Sequence, residues 1–160
     1  MQIDLYRKEY EQAVIELILN IQQNEFGVPV TIADQPDLLD VENFYRKGLG
    51  NFWIATENKQ LTGTIALIDI GNRQSALRKM FVHKDHRGKE KGLGQQLLDH
   101  VTGWCRQTGI DEIYLGTFDK LVAAQKFYRK NGFVEVAKSS LPAPFPLMQV
   151  DNMFFALHLK

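Results

Sequence analysis

The stretch "HRGKEKGLGQQLL", His86 to Leu98, decides the fold of this chain. Its first nine residues hold three glycines and the side chains of His86, Arg87, Lys89 and Lys91. After Gly92 the pattern turns helical. Leu93, Leu97, Val101 and Trp104 fall on one stripe, with Leu98 and Cys105 beside it. A helix entrance has unpaired backbone N–H groups and a partial positive charge. Glycines ahead of it let the chain wrap closely and aim several N–H groups at one point. The natural occupant is a phosphate or a diphosphate. The plain alternative is a solvated basic turn in which Gly92 merely starts a helix. The spacing is neither G-x-x-x-x-G-K-[ST] nor G-x-G-x-x-G, so dedicated ATP and dinucleotide readings are set aside.

Outward from this turn, the chain reads as alternating elements. "QIDLY" (2–6) suggests a first strand. Tyr10, Val14, Leu17, Ile18 and Ile21 predict a helix over 9–24, and Leu38, Val41, Phe44 and Tyr45 a second over 37–46. "NFWIATE" and "LTGTIALIDI" flank the short turn "NKQ" and predict a hairpin, with "SALRKMFVH" as the next strand. "EIYLGTF" reads as a short buried strand. Asp119 is placed to cap a helix through Asn131, with Gly132 as a left-handed stop. "FVEVA" and "MQVDNMFFALHL" close the chain as strands. The expected fold is α/β (α+β), a mixed, mostly antiparallel central sheet flanked by helices, in one domain over 1–160.

Composition narrows the function classes. Nineteen basic residues balance nineteen acidic ones, which gives no support for nucleic-acid or membrane-surface binding. A single cysteine, Cys105, excludes an internal disulfide and a cysteine-cluster metal site. His83, His86, His100 and His158 lack metal-ligand spacing, so no metal is expected. No apolar run approaches the ~20 residues of a membrane span, and "MQIDLYRKEY" lacks the apolar stretch of a secretory signal. A cytoplasmic location is the expectation. No serine–histidine–acid pattern is visible for hydrolysis.

Two segments in order carry a family resemblance. "LRKMFVHKDHRGKEKGLGQQLLDHV" resembles the acetyl-CoA-binding motif of the GNAT family of N-acetyltransferases: a strand, then Gln or Arg-x-x-Gly-x-Gly or Ala, then a helix. Downstream, "AAQKFYRKNGFVEV" is similar to the family's helix bearing Phe-Tyr, followed by Asn-Gly-Phe and a strand. Together they cover roughly the C-terminal half. One departure stands out. Arg87-Gly88-Lys89 is followed by Glu90-Lys91 before Gly92-Leu93-Gly94, so either the loop carries two extra residues or Lys89 takes the Gln/Arg position.

The resemblance implies acetyl transfer from acetyl-CoA to a primary amine by direct attack in a ternary complex. A small molecule or amino-acid derivative is the first choice of acceptor, and a protein N-terminus or lysine the second. It implies cofactor contacts from Met80, Phe81 and Val82, from Arg87, Gly88, Lys89, Lys91, Gly92, Leu93, Gly94 and Gln95, and from Ala124 and Tyr128. Tyr128 is the implied general acid for the departing thiolate; the alternative is a tyrosine packed in the core beside Ala124 and Phe127. "SALRKMFV" contains no glutamate to serve as base. Glu25, Asp34, Glu112 and Asp151 are the remaining candidates, and the role stays unassigned. Acceptor specificity is expected in "EFGVPVTIADQPDL" and "LPAPFPLMQVDN", where Asp34 and Asp37 either attract an amine or form a helix-entry turn. Relatives pair through a C-terminal strand, which makes "MFFALHLK" a candidate edge for a homodimer. A non-catalytic acyl-CoA-binding module is the alternative of a different class, and a plain phosphate-ligand binder a third.

Overall fold

The computed structural model describes residues 1–88 and 92–159, so Lys89 and Lys91 of the expected cofactor loop lie outside the described residues. The order of elements is β1 (Gln2–Leu5), α1 (Glu11–Leu19), α2 (Val41–Tyr45), β2 (Asn51–Glu57), β3 (Gln60–Gly71) and β4 (Gln74–Val82), then α3 (Leu93–Thr108), β5 (Glu112–Thr117), α4 (Val122–Lys130), β6 (Val134–Val136) and β7 (Met153–His158). The strands form one sheet in the order β1-β2-β3-β4-β5-β7-β6. Among the described residues only β4 and β5 pair in parallel. Both early hairpins turn on two residues of positive φ, Asn58-Lys59 and Asn72-Arg73. That geometry matches the right-handed twist of the flanking strands.

Period-two alternation along β2 sends side chains to two cores. Trp53 and Ala55 join Ile65, Leu67, Leu93, Leu97 and Val101 beneath α3 and α4. Phe52 and Ile54 join Val14, Ile18, Leu38 and Tyr45 beneath α1 and α2. A third, smaller cluster gathers Ala76, Tyr114, Phe154 and Phe145, which anchors the proline loop "LPAPFP" to the sheet.

The structure departs from sequence expectation at four places. The first helix ends at Leu19 and continues as a π-helical turn over Asn20–Glu25. The second divides into a 3-10 turn, Pro36–Leu39, and the short α2, because Asp40 leaves helical geometry at φ −151° and ψ 53°. Asp119 does not cap α4. Its N–H donates to Asn152 Oδ1 at 2.9 Å, and the helix starts after Leu121. Finally, β7 is not a free edge: it lies between β5 and β6, with Phe154, Phe155 and Ala156 paired on both sides.

One feature of the sheet positions everything that follows. Strands β4 and β5 pair only over Gln74–Glu112, Ser75–Ile113 and Ala76–Tyr114. Beyond Ala76 they part, leaving a fork through the sheet. From Leu77 to Val82 the side of β4 turned toward β5 has no strand partner among the described residues.

Candidate active site

The α3 side of the fork, where the sequence leads one to expect the cofactor, is built from backbone. Gly88 (φ 101°) and Gly92 (φ 63°) both adopt the left-handed region, and the Gly92 N–H donates to the Gly88 carbonyl at 3.0 Å. This closes the turn and delivers Leu93, Gly94 and Gln95 as the first turn of α3. The first N–H groups of a helix have no carbonyl one turn back within it. A Cβ on Gly94 would stand 3.8 Å from both Met80 and Phe127, so no protein atom demands glycine there. Its absence of a side chain instead leaves room for a ligand at the helix entrance. Phe81 and Val82 pair with β3 on one side. On the side turned toward β5, the Met80–Val82 stretch has no strand partner among the described residues, which leaves an edge suited to an extended partner in the manner of an added strand.

Several expected side chains have structural employment. Arg87 donates from Nε to the Val82 carbonyl at 2.8 Å and bidentately to Glu25 at 2.7 and 3.0 Å. It ties the glycine turn to the end of the first helical segment. The Gln95 amide donates to Asp99 and Asn131, both at 2.8 Å, linking α3 to the end of α4. Ala124 packs against the core beneath α3.

Tyr128, on α4, reaches the same fork. Its ring packs on Phe127, Phe133 and Phe155. Packing therefore explains the ring but not the hydroxyl, whose partner is Met80 Sδ at 3.9 Å. A thioether is a weak acceptor. Burial, with the nearby Asp151 carboxylate second, pushes the phenol up to about 12. A proton given from there to a thiolate of pKa ~8.5 would run about 5 kcal/mol uphill unless it moved together with cleavage of the bond to sulfur.

The opposite face of the fork carries charge. A β-bulge between Thr64 and Ala66 coincides with Lys79, which sits at φ 52°. Without the bulge, alternation would turn Lys79 to the apolar α3 face. Instead Arg78, opposite Ala66, and Lys79 both face the α1–α2 side. Lys79 Nζ donates to Gln35 Oε1 and lies 3.6 Å from Asp37 Oδ2; both charged side chains are 5% exposed. The Tyr45 hydroxyl donates to the same Asp37 oxygen at 2.5 Å. Burial lowers the Lys79 pKa to about 8 against the pull of Asp37, and raises that of Tyr45 well above its ordinary value. Asp37 is thus committed to the protein. Asp34 is committed too, accepting from the Thr31 N–H at 2.9 Å in a capping box.

The four candidate bases separate on the same criterion. Glu25 holds Arg87. Asp34 caps its turn. Glu112 sits at the closed end of the fork, bound to Gln74, Tyr114 and His158. Asp151 alone of the four has no hydrogen bond or ion pair from its carboxylate among the described residues. The carboxylate lies directly on Gly116 of β5: a Cβ there would come within 2.5 Å of Asp151 Oδ2. Burial raises the Asp151 pKa to about 6, while Arg78 and Lys79 pull it down. The sequence named Asp151 among four; that it is the uncommitted one is a property of tertiary contacts.

Cys105 is buried and its thiol pushed up to about 12 by desolvation, so it is a poor nucleophile. Among the described residues no group of histidine, cysteine or acidic side chains is arranged to hold a metal ion, and no helix is long and apolar enough to cross a membrane.

This geometry has known counterparts. The chain is 45% identical to an acetyltransferase of the GNAT family from Staphylococcus aureus Mu50, over 99% of both chains and with a TM-score of 0.96. It is 24% identical to human N-acetyltransferase 8B over 81% of this chain, and 33% identical to the N-acetylaspartate synthetase of Xenopus tropicalis over 76%. It spans 59% and 45% of the lengths of these two curated relatives. The model of the acetyltransferase (GNAT) domain matches residues 48–135, from the end of α2 into β6. The chain belongs to the GNAT family of acetyl-CoA-dependent acyltransferases.

Proposed function

We propose that the chain moves the acetyl group of acetyl-CoA to a primary amine on a small molecule, by direct attack in a ternary complex. The observation that carries this reading is the uncommitted Asp151 carboxylate, packed on Gly116 where β4 and β5 have parted. Similarity to an N-acetylaspartate synthetase supports a small acceptor.

The two faces of the fork divide the work. Acetyl-CoA lies on the α3–α4 side, with its diphosphate at Gly88 and Gly92 to Gln95 and its arm along Met80 to Val82. The acceptor enters from the α1–α2 side. An amine of pKa ~10.4 is neutral at pH 7 about once in 2,500, a cost near 4.6 kcal/mol, so a base is needed. Asp151, with a pKa of about 6, is ionised at pH 7 and is a stronger base than an ordinary carboxylate. The ammonium first gives one proton to solvent. Asp151 takes the second as the nitrogen lone pair forms the C–N bond and the nitrogen becomes acidic, and exchange with solvent afterwards returns Asp151 and Tyr128 to their starting protonation. A β4 backbone N–H stabilises the oxygen of the thioester carbonyl. The C–S bond breaks, and the thiolate takes the proton of Tyr128.

Free-thiol release from acetyl-CoA over a panel of amines tests the reading. Acceptor-dependent thiol, with an amide product of matching amount, is expected. Saturable acetyl-CoA binding with no acceptor-dependent thiol would favour a non-catalytic acyl-CoA-binding module.

A further inference from the structure

Arg78 has no role in the chemistry above. It is half-buried, it stands on β4 opposite Ala66, and its neighbour Lys79 is fully engaged by Gln35 and Asp37. Among the described residues the Arg78 side chain makes no hydrogen bond and no ion pair. Asp151 is the second such group, and each lies within electrostatic reach of the other. Yet the two do not pair. A guanidinium and a carboxylate held this near would ordinarily close into a bidentate bridge. Here each is fixed to a different prong of the fork, Arg78 by β4 and Asp151 by its seat on Gly116 of β5.

An uncommitted cation and an uncommitted anion across one gap are complementary to a ligand with the opposite charges in the opposite order. We infer that the acceptor is a free α-amino acid, with its amine at Asp151 and its carboxylate on Arg78. This inference rests on the acetyl-transfer reading and names its substrate class. It also discriminates. In a peptide N-terminus the group next to the amine is a neutral amide, which leaves the guanidinium without its partner. A simple alkylamine leaves it bare as well. Arginine suits the task because its planar fork matches a carboxylate bidentately.

The test compares three arms with purified protein: the common L-amino acids, their carboxamides, and their decarboxylated amines. Thiol release and amide product are read in each. The carboxamide's amine is the more easily deprotonated, with a pKa near ~8, so intrinsic reactivity favours it over the acid. A preference for the free acid therefore reports recognition. We expect kcat/KM for at least one amino acid to exceed that of its carboxamide and amine about 10- to 100-fold, the range of a charged hydrogen-bonded contact. R78Q should raise KM for the acid by a similar factor, with a clearly smaller effect on the carboxamide, while leaving the affinity for acetyl-CoA as it was. R78K should recover part of the loss. Acetyl-CoA affinity, measured by calorimetry, confirms that each variant is folded. Carboxamides or amines acetylated as well as the acids would overturn the inference and leave acetyl transfer standing. Bound acetyl-CoA with no product in any arm would remove the transfer reading and the inference together.

Discussion

Replacing Asp151 by asparagine should disable the protein and stabilise it at once. The carboxylate has a pKa of about 6 in the folded chain, against 3.8 for a free aspartate. Two units correspond to about 3 kcal/mol, and partial exposure trims this to about 1–3 kcal/mol. The sign follows from the direction of the shift. Below about pH 4 the group is protonated in both folded and unfolded chains, and no penalty exists. As pH rises from 4 to 6 the unfolded chain gives up the proton while the folded chain keeps it, so stability falls. Above pH 6 the whole penalty stands. Asparagine has nearly the same shape and no charge at any pH. D151N should therefore melt about 3–10 °C higher than the parent at pH 8, with the difference falling to about a third near pH 4.5 and toward zero below about pH 4. In the same protein, acetyl transfer should fall about 10²- to 10⁴-fold, the usual contribution of a general base. The parent's kcat/KM should also lose activity on the acid side of about pH 6, and the variant should lack that limb. Thermal melts by circular dichroism at both pH values, with thiol-release kinetics, supply the readings. A variant less stable than the parent at pH 8, by an amount that does not change with pH, would refute the reasoning. The carboxylate would then be a structural partner rather than a held base.

Two further outcomes follow from the same geometry. Tyr128→Phe keeps the ring contacts with Phe127, Phe133 and Phe155 and removes a hydroxyl that meets only a thioether, so melting should be unchanged or slightly raised. Its kcat should fall about 10²-fold or more with acetyl-CoA affinity retained; full activity would return Tyr128 to a packing role. Lys79→Met should cost about 3–5 kcal/mol in urea unfolding, because it leaves the 5% exposed Asp37 carboxylate without its cation.

Elements set by local periodicity were legible from the residues. The leucine stripe of α3, the alternation in β2 and β3 and the paired glycines of the turn all act within a few positions. Long-range contacts were not. Nothing local distinguishes Asp151 from Glu25, whose partner Arg87 is 62 positions away. Nor does any pattern betray the bulge at Lys79, which depends on its register with β3. Asp119 had the right chemistry for a cap, but the helix starts only after Leu121, while Asn152, 33 residues downstream, holds the Asp119 N–H in the preceding turn. Asp37 was open to two readings, an amine site or a helix-entry turn, and Tyr45 and Lys79 close on its carboxylate instead. In each case a tertiary partner overrode a sound local propensity.

The central claim is that acetyl passes straight from the thioester in the β4–β5 fork to an amine nitrogen. Incubation with acetyl-CoA carrying a radioactive acetyl group, with and without the amino-acid panel, tests it most directly. Without acceptor the protein should remain unlabelled, since Cys105 is buried and its thiol held protonated. With acceptor, the label should appear on the amine nitrogen in equal amount to the thiol released. Label retained on the protein, or thiol released with the label recovered only as acetate, would contradict the account.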